Sequence, residues 1–532
     1  MRRTFALLVV TGCLVTGCGA SSDSPASQDD EVRYAVDGTF TRSTPADPVS
    51  FDPYHSPGAL GYDDLLYDPL VNLTPDGEFV SGLAEEWTVD ATTATFTLRD
   101  DVTCSDGSPL TASQVAADIA YVSDPANGAV LYGLHTPTVP VTATGDDAAR
   151  MVTVTAEQPF GFLLETVGVL PIVCAKGMQD RTMLQAGSDG TGPFVLTDVV
   201  AGQTFTFTRR DDYAWGPDGV GTDEPGTPKT VVVRVVPDET TAANLLLSGE
   251  LNFAQITGDD HRRLDAEGLD KDQGHSGVAL WFNQRDGRVT QDEDVRRALA
   301  QALDLDELVP VATGGTGTAA TGLVALDPNV CDGDTVSGQL PEFDVAAAEA
   351  LLDEAGWVRG PDGMRAKDGT PLTIDLHAIP TTNRYDQPTA ELVADRWEQL
   401  GVTVDLNLDG PNGYTEVALG AAGNWDVFVL GYGFYLPSQW IPYASGPVPP
   451  DGVNVSGIQN EDYLSLVAQA QTLTAPESCT FWNQAEQALF RDVNTLPIAF
   501  RPSFYYLRGA EAEVSGFSFP IPTSIRVLEE TS

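Results

Sequence analysis

The sequence predicts an α/β protein built as two lobes, and three observations lead there. A chain of 532 residues with 42% hydrophobic side chains is too long for one core and long enough for two or three domains. Its apolar segments switch between strand and helix periods, the rhythm of layered α/β structure. The stretch Ala279–Leu308 runs strand, loop and strongly patterned helix in succession, which reads as a crossing from one lobe into the other.

The amino terminus supplies an address. Arg2 and Arg3 precede an apolar run from Phe5 to Val10, too short to span a membrane but suited to an export signal. The following Leu14-Val15-Thr16-Gly17-Cys18 resembles a bacterial lipobox, which implies a signal peptide over residues 1–17 and lipidation at Cys18. Residues 18–31 are rich in Ser, Ala, Asp and Gln and read as a tether. The balance of 28 basic against 77 acidic side chains, a net −49, disfavours nucleic-acid or anionic-surface partners. It suits the surface of a secreted protein.

Taken in order, Val32–Phe40 is an expected strand. Ala94, Phe96 and Leu98 alternate with threonines as one buried strand face, Asp106-Gly107 makes a turn, and Thr111 opens a helix carrying Val115, Ile119 and Val122. Thr204–Arg209 alternates, and Val231–Val236 is a β-branched run suited to burial on both faces. Ala242–Ser248 is a helix closed by Gly249. In the pivot, Thr290 and Glu293 stand at capping-box spacing. From there Val295, Ala298, Leu299, Ala302 and Leu303 form one apolar stripe, with Arg296 and Arg297 turned away. Helices over Ala346–Ala355, Thr389–Leu400, Glu461–Ala470 and Ser478–Phe490 follow. They are interleaved with strands at Leu372–Leu376, Val402–Leu408 and Asp426–Leu430, and Phe500–Leu507 reads as a strand crossing back. Two crossings make a hinge.

Several stretches carry a family resemblance: Leu73–Trp87 (LTPDGEFVSGLAEEW), Thr95–Val102, Ser105–Val115, Gly190–Phe194, the VRVVPDETTAANLLLSGELNFA segment, and the pivot itself. In this order and spacing the chain resembles the large extracytoplasmic solute-binding proteins of ABC transporters, the family of oligopeptide- and dipeptide-binding proteins. The resemblance covers about residues 32–528. It implies a two-lobed periplasmic-binding-protein-like fold of type II, in the large cluster with an extra subdomain. The first lobe is expected from 32–50, 190–278 and 500–532, its subdomain from 51–189, and the second lobe from 279–499. With Cys13 removed and Cys18 lipidated, Cys104, Cys174, Cys331 and Cys479 remain and allow three pairings. Cys104–Cys174 and Cys331–Cys479 keep each bridge on one side of the crossing and are the expected pair.

Signs of catalysis are weak. Gly274-His275-Ser276-Gly277 falls short of a G-x-S-x-G elbow, and Gly314–Gly317 lacks the Walker lysine. His55, His135, His261, His275 and His377 are scattered, with no zinc spacing. No metal or cofactor is expected. A binding cleft instead needs aromatic walls and free backbone. Trp425–Trp440 offers both, with Gly431, Tyr432 and Gly433 followed by Phe434, Tyr435 and Trp440; a core strand and turn is the competing reading. In peptide-binding members an aspartate shortly after the glycine–aromatic pair holds the peptide amine, and here Tyr435 falls near that place. Arg384 stands where some members bind a ligand carboxylate. Phe51, Tyr54, Trp281, Phe282 and Asn283 complete the candidates. The resemblance implies a monomeric, lipid-anchored, extracytoplasmic binding protein that passes a peptide or similar solute to an ABC permease. A secreted hydrolase and a non-transport sensor or envelope scaffold are the alternatives.

Overall fold

The computed structural model describes residues 33–529 apart from 60, 382, 411 and 516–518. The expected signal peptide, Cys18 and the tether lie outside the described residues. In chain order the central sheet is built from β1 (Thr39–Thr44), β2 (Phe194–Val200), β3 (Thr204–Arg209), β4 (Thr230–Val235), β5 (Phe253–Ile256), β6 (Asp270–Phe282), β7 (Thr373–Ala378), β8 (Thr403–Leu408), β9 (Val427–Tyr432) and β10 (Thr495–Leu507). Their spatial order is β8-β7-β9-β6-β10-β5-β1-β4-β3-β2, and the short strand Thr318–Ala319 also pairs with β10.

The two longest strands, β6 and β10, have 13 residues each and pair antiparallel from Asp270 opposite Leu507 to Trp281 opposite Thr495. One end of this ribbon belongs to the first lobe, through β5. The other belongs to the second, through β9. The expected lobe boundaries at 278/279 and 499/500 therefore fall inside single strands. The register shifts between Val278 and Ala279, opposite Pro497 and Ala499. A proline has no N–H for the ladder, and a bulge is where a central strand accommodates one.

Strand directions fix where a cleft belongs. β5, β1 and β4 run parallel to one another, and β5 is antiparallel to β10. β9 is antiparallel to β6, and β7 and β8 run parallel to β9. The carboxyl ends of β5, β1 and β4 thus point toward the second lobe, and those of β9, β7 and β8 point toward the first. Ligands in α/β sheets bind beyond strand carboxyl ends, and here two such sets face each other across the ribbon.

Alternation sorts the side chains onto two faces. Ala279 and Trp281 of β6, with Phe428, Leu430 and Tyr432 of β9, join a core that is continuous with the first lobe and its subdomain. Val278, Leu280 and Phe282, with Val427 and Val429, join a separate core with helices of the second lobe. A third, smaller cluster holds Phe504 and Tyr506 of β10 with Ala242, Ala243 and Leu246.

The subdomain contains a four-stranded sheet of Ala84–Val89, Thr93–Leu98, Met151–Ala156 and Val141–Asp146. Ala94, Phe96 and Leu98 are its buried row. Helix α1 (Ala112–Ser123) covers this sheet, capped as expected by Thr111, whose hydroxyl accepts from Gln114 N–H. The short helix α2 (Leu163–Val167) follows. Helix α3 (Glu239–Ser248) ends on Gly249 at φ 79°, a left-handed conformation that costs glycine little.

Several expectations are corrected. Of the expected strand Val32–Phe40, the described residues enter a strand only at Thr39. β4 alternates buried and half-buried residues instead of being sealed on both faces. Helix α4 (Glu293–Gln301) is capped by Asp292, whose carboxylate accepts from Asp294 N–H. Thr290 is buried instead, donating to the Asn283 carbonyl at 2.6 Å. Arg296 turns inward rather than away. It is 4% exposed and donates to the carbonyls of Val493, Thr290, Gln291 and Asp492. Four of its five fixed donors matched to carbonyls make that burial tolerable. Helix α5 (Asp386–Gln399) begins three residues earlier than the apolar pattern suggested, and helix α6 (Cys479–Arg491) matches its expected span closely. The disulfides are Cys104–Cys174 and Cys331–Cys479, as expected.

Candidate functional site

The segment after β9 gathers the aromatic residues singled out in the sequence. The Trp281 and Trp440 rings are 5.1 Å apart, Tyr432 and Phe434 lie 5.6 and 5.1 Å from Trp440, and Tyr443 packs on Trp281, Phe434 and Trp440. Strand alternation puts Trp281 and Tyr432 on the same face of neighbouring strands, and the turn after β9 brings Trp440 back over them. Two contacts fix the turn to the loop at 322–326. Trp440 Nε1–H donates to Leu323 O at 2.8 Å, and the Tyr432 hydroxyl donates to Gly322 O at 2.9 Å. Burial holds the Tyr432 phenol well above its usual range.

Gly431 and Gly433 keep exposed backbone at this place, with no atom closer than 3.5 Å to where a β-carbon would stand. Gly277 differs. It is paired with Tyr432 across β6 and β9, and a β-carbon there would lie 2.0 Å from the Tyr432 ring. The ring lies over the bare glycine. Gly274 is similarly covered by Tyr505. The Gly274–Gly277 motif is thus two ring seats on one strand.

Tyr435 reaches across to the subdomain, where its hydroxyl donates to the Glu165 carbonyl of α2 at 2.8 Å. Gln439 follows, its amide nitrogen 3.5 Å from Leu134 O. Phe162, just before α2, stacks on Trp482 of α6 at 5.5 Å. The two sides are in direct contact here, and Trp281, Tyr432 and Tyr435 are buried at 4%, 6% and 3% exposure.

Arg384 lies on the loop between β7 and α5 and is exposed. A β-carbon at Gly258, just after β5, would sit 2.6 Å from both Arg384 Nη1 and Glu239 Oε1. The guanidinium, from the loop after a second-lobe strand, therefore lies close against the end of a first-lobe one.

Four expected site residues are placed elsewhere. Phe282 points into the second-lobe core, because it is an odd number of residues from Trp281, which packs into the aromatic cluster on the other face. Asn283 is fully buried at the far end of β6, donating to Gly423 O and Trp425 O. Phe51 packs edge-on against Tyr62 and Phe205 inside the first lobe. Tyr54 donates to Pro171 O and lies under the Arg181 guanidinium. Sequence reading missed Glu165, Tyr443 and Trp482. For Glu165 the signal was present: one acid in the apolar run Phe160–Val167. Its carboxyl is pushed up to about 7 by burial. Glu486 of α6 is also pushed up to about 7 by burial, but it accepts from Leu323 N–H and from the Thr335 hydroxyl.

No group of three or more His, Cys, Asp or Glu among the described residues is arranged to hold a metal ion. No helix among them is long and apolar enough to cross a membrane.

Comparison with known proteins gives a consistent picture. Residues 78–445 match the model of bacterial extracellular solute-binding proteins, family 5 Middle. The chain is 28% identical to the nickel-binding periplasmic protein of Escherichia coli (strain K12) over 391 residues, covering 70% of this chain and 72% of that one. It is 25% identical to the dipeptide-binding protein DppE of Bacillus subtilis (strain 168) over 548 residues, covering 93% and 92%. Among solved structures, it superposes on a substrate-binding protein from Microbacterium hydrocarbonoxydans, complexed with 4-hydroxybenzoate hydrazide, with TM-score 0.74 and 28% identity, covering 92% of this chain and 100% of that one.

Proposed function

Since the chain belongs to family 5 of the bacterial extracellular solute-binding proteins, we propose that it captures a small organic solute, a peptide or a compound of similar size, between its two lobes and delivers it to the permease of an ABC importer. The observation that carries this reading is the pair of facing strand-end sets across the β6–β10 ribbon, with Trp281, Tyr432, Phe434 and Trp440 gathered at their junction. Two strands connecting two lobes can bend, and a ligand touching both lobes favours the closed arrangement. Aromatic faces supply apolar contact, while the open backbone of Gly431 and Gly433 lets a ligand approach closely.

The relatives named above bind nickel, a dipeptide or a hydrazide, so the fold alone does not choose among solute classes. Lipidation at Cys18 would hold the protein at the outer face of the membrane, close to its permease; the residues around Cys18 support this reading. The mechanism needs no bond-making.

A thermal-stabilisation screen of the unlipidated protein tests the proposal, using di- to pentapeptides, oligosaccharides, metal chelates and aromatic hydrazides. A ligand present at 100 times its Kd adds about 2.7 kcal/mol, which a melting curve resolves. Stabilisation by one class, without turnover of that compound, is the expected result. Turnover of an ester, peptide or glycoside would establish the hydrolase alternative, and silence across every class would overturn solute capture.

A further inference from the structure

Glu165 is a carboxylate held at the lobe junction with no cation to neutralise it. The residue is 8% exposed. Its carboxylate receives a hydrogen bond from its own backbone N–H, and burial is the dominant influence on it. No lysine, arginine or histidine among the described residues pairs with it.

The charged and titratable groups around it are accounted for. Tyr435, from the segment after β9, feels the Glu165 charge and places its hydroxyl on the Glu165 carbonyl. His135 is kept neutral by burial, at about 4, and uses Nδ1 on the Val169 carbonyl at 3.1 Å. Glu486, on the helix that carries Trp482, is bonded to Leu323 and Thr335. Helix α2 carries no other charge.

A second observation comes from the same place. Trp482 is 2% exposed and stacks on Phe162, three residues before Glu165, yet its indole N–H has no acceptor among the described residues. Trp281, in the aromatic cluster, also has an unmet indole N–H at 4% exposure. The junction therefore holds an unneutralised acceptor on the first-lobe side and an unspent donor, the Trp482 indole, on the side chain stacked against Phe162 of the same segment. Packing alone would be served better by an apolar residue at 165, because an unpaired buried charge is costly.

We propose that Glu165 receives the cationic group of the transported solute, a protonated amine or a guanidinium, and that the Trp482 indole N–H donates to a carbonyl or ether oxygen of the same molecule. This rests on the solute-binding reading and deepens it. Tyr435, on the facing lobe, cannot supply the anionic charge itself. The carboxylate comes instead from the opposite side of the closure, so capture of the cation and closure of the lobes are one event.

The test uses the unlipidated protein and isothermal titration with named probes. Ala-Leu-Ala and agmatine carry a cation; N-acetyl-Ala-Leu-Ala and maltotriose do not. The expected result is binding of a cationic probe at least tenfold tighter than of the probes that lack a cation, lost in Glu165→Gln and largely restored in Glu165→Asp. Affinity for agmatine, whose guanidinium stays charged throughout, should rise from pH 6 to pH 8, with proton release, since the cation binds the ionised carboxylate. Melting curves of each variant verify folding. If Glu165→Gln does not fold, wild type must release protons on binding agmatine and none on binding maltotriose. Equal affinity of wild type and Glu165→Gln for a cationic probe overturns the assignment. So does failure of both cationic probes to bind wild type. If maltotriose or the acetylated peptide binds in that case, solute capture stands and only the role of Glu165 falls; if nothing binds, the wider screen decides solute capture separately.

Discussion

The Tyr435 hydroxyl donates to the Glu165 carbonyl at 2.8 Å, so the turn following β9 is tied to a helix of the subdomain 270 residues away. This bond crosses the surface along which the two lobes must part to admit a solute. Tyr435→Phe keeps the ring and removes the bond, leaving a buried carbonyl unmet. Closure should weaken by about 1–2 kcal/mol. Small-angle scattering of the ligand-free protein should report a larger mean radius for the variant. Tyr435→Ala is a poorer probe, because it also empties a site that is 3% exposed.

Gly277 predicts a steric outcome. Adding a methyl opposite Tyr432 pushes the ring off its seat and breaks its hydroxyl bond to Gly322. Gly277→Ala should cost roughly 1–3 kcal/mol and alter the near-ultraviolet circular dichroism of the aromatic cluster. Gly431→Ala, with its nearest neighbour 3.6 Å away, should leave that spectrum unchanged. Identical spectra for both variants would refute the ring seat.

The Asp386–Arg501 pair joins α5 to β10, with N–O distance 2.8 Å and side chains 4% and 5% exposed. Burial pushes the Asp386 carboxyl up and the Arg501 guanidinium down, so desolvation offsets part of the attraction. Breaking the pair is still costly because it strands the other charge. Asp386→Asn should destabilise by about 3–5 kcal/mol, and Asp386→Leu combined with Arg501→Met by much less. Denaturant midpoints of the two variants provide the comparison.

Stability should rise as pH falls from 7 toward 5. Glu165 and Glu486 are pushed up to about 7 and Asp68 to about 6, chiefly by burial. Carboxyls raised above their unfolded values bind more protons folded than unfolded, so their contribution is full below about pH 4 and is lost as pH climbs through the folded values. His135 acts oppositely. Lowered to about 4, it favours folding above about pH 6.5 and loses that contribution as pH falls through 4. Three carboxyls outweigh one imidazole, and the loss of net negative charge acts in the same direction. Melting temperature against pH measures this, and Glu486→Gln should flatten the slope between pH 5 and 7.

The disulfides close loops of 70 and 148 residues. In the chain-entropy account each adds about 4–5 kcal/mol through the unfolded state. Replacing Cys331 and Cys479 together by alanine should lower the melting temperature more than replacing Cys104 and Cys174, since the longer loop has more entropy to lose.

Local chemistry along the chain determined a good deal. Period-two alternation marked Ala94, Phe96 and Leu98 as one face, Thr111 as a cap and Gly249 as a helix stop, because these depend on neighbours within a few residues. The family resemblance was carried by residue motifs such as Leu73–Trp87, Gly190–Phe194 and the pivot. Tertiary structure decided what each candidate touches. Trp281 and Phe282 are adjacent, equally apolar and opposite in fate, since sheet faces alternate and only the packing of distant segments says which core each face joins. Arg296 looked like a surface charge until carbonyls from residues nearly two hundred positions away surrounded it. Glu165 and Tyr435 could not be paired from their own surroundings. Long-range contacts are set by the closing of the whole chain upon itself, and no local pattern encodes the partner.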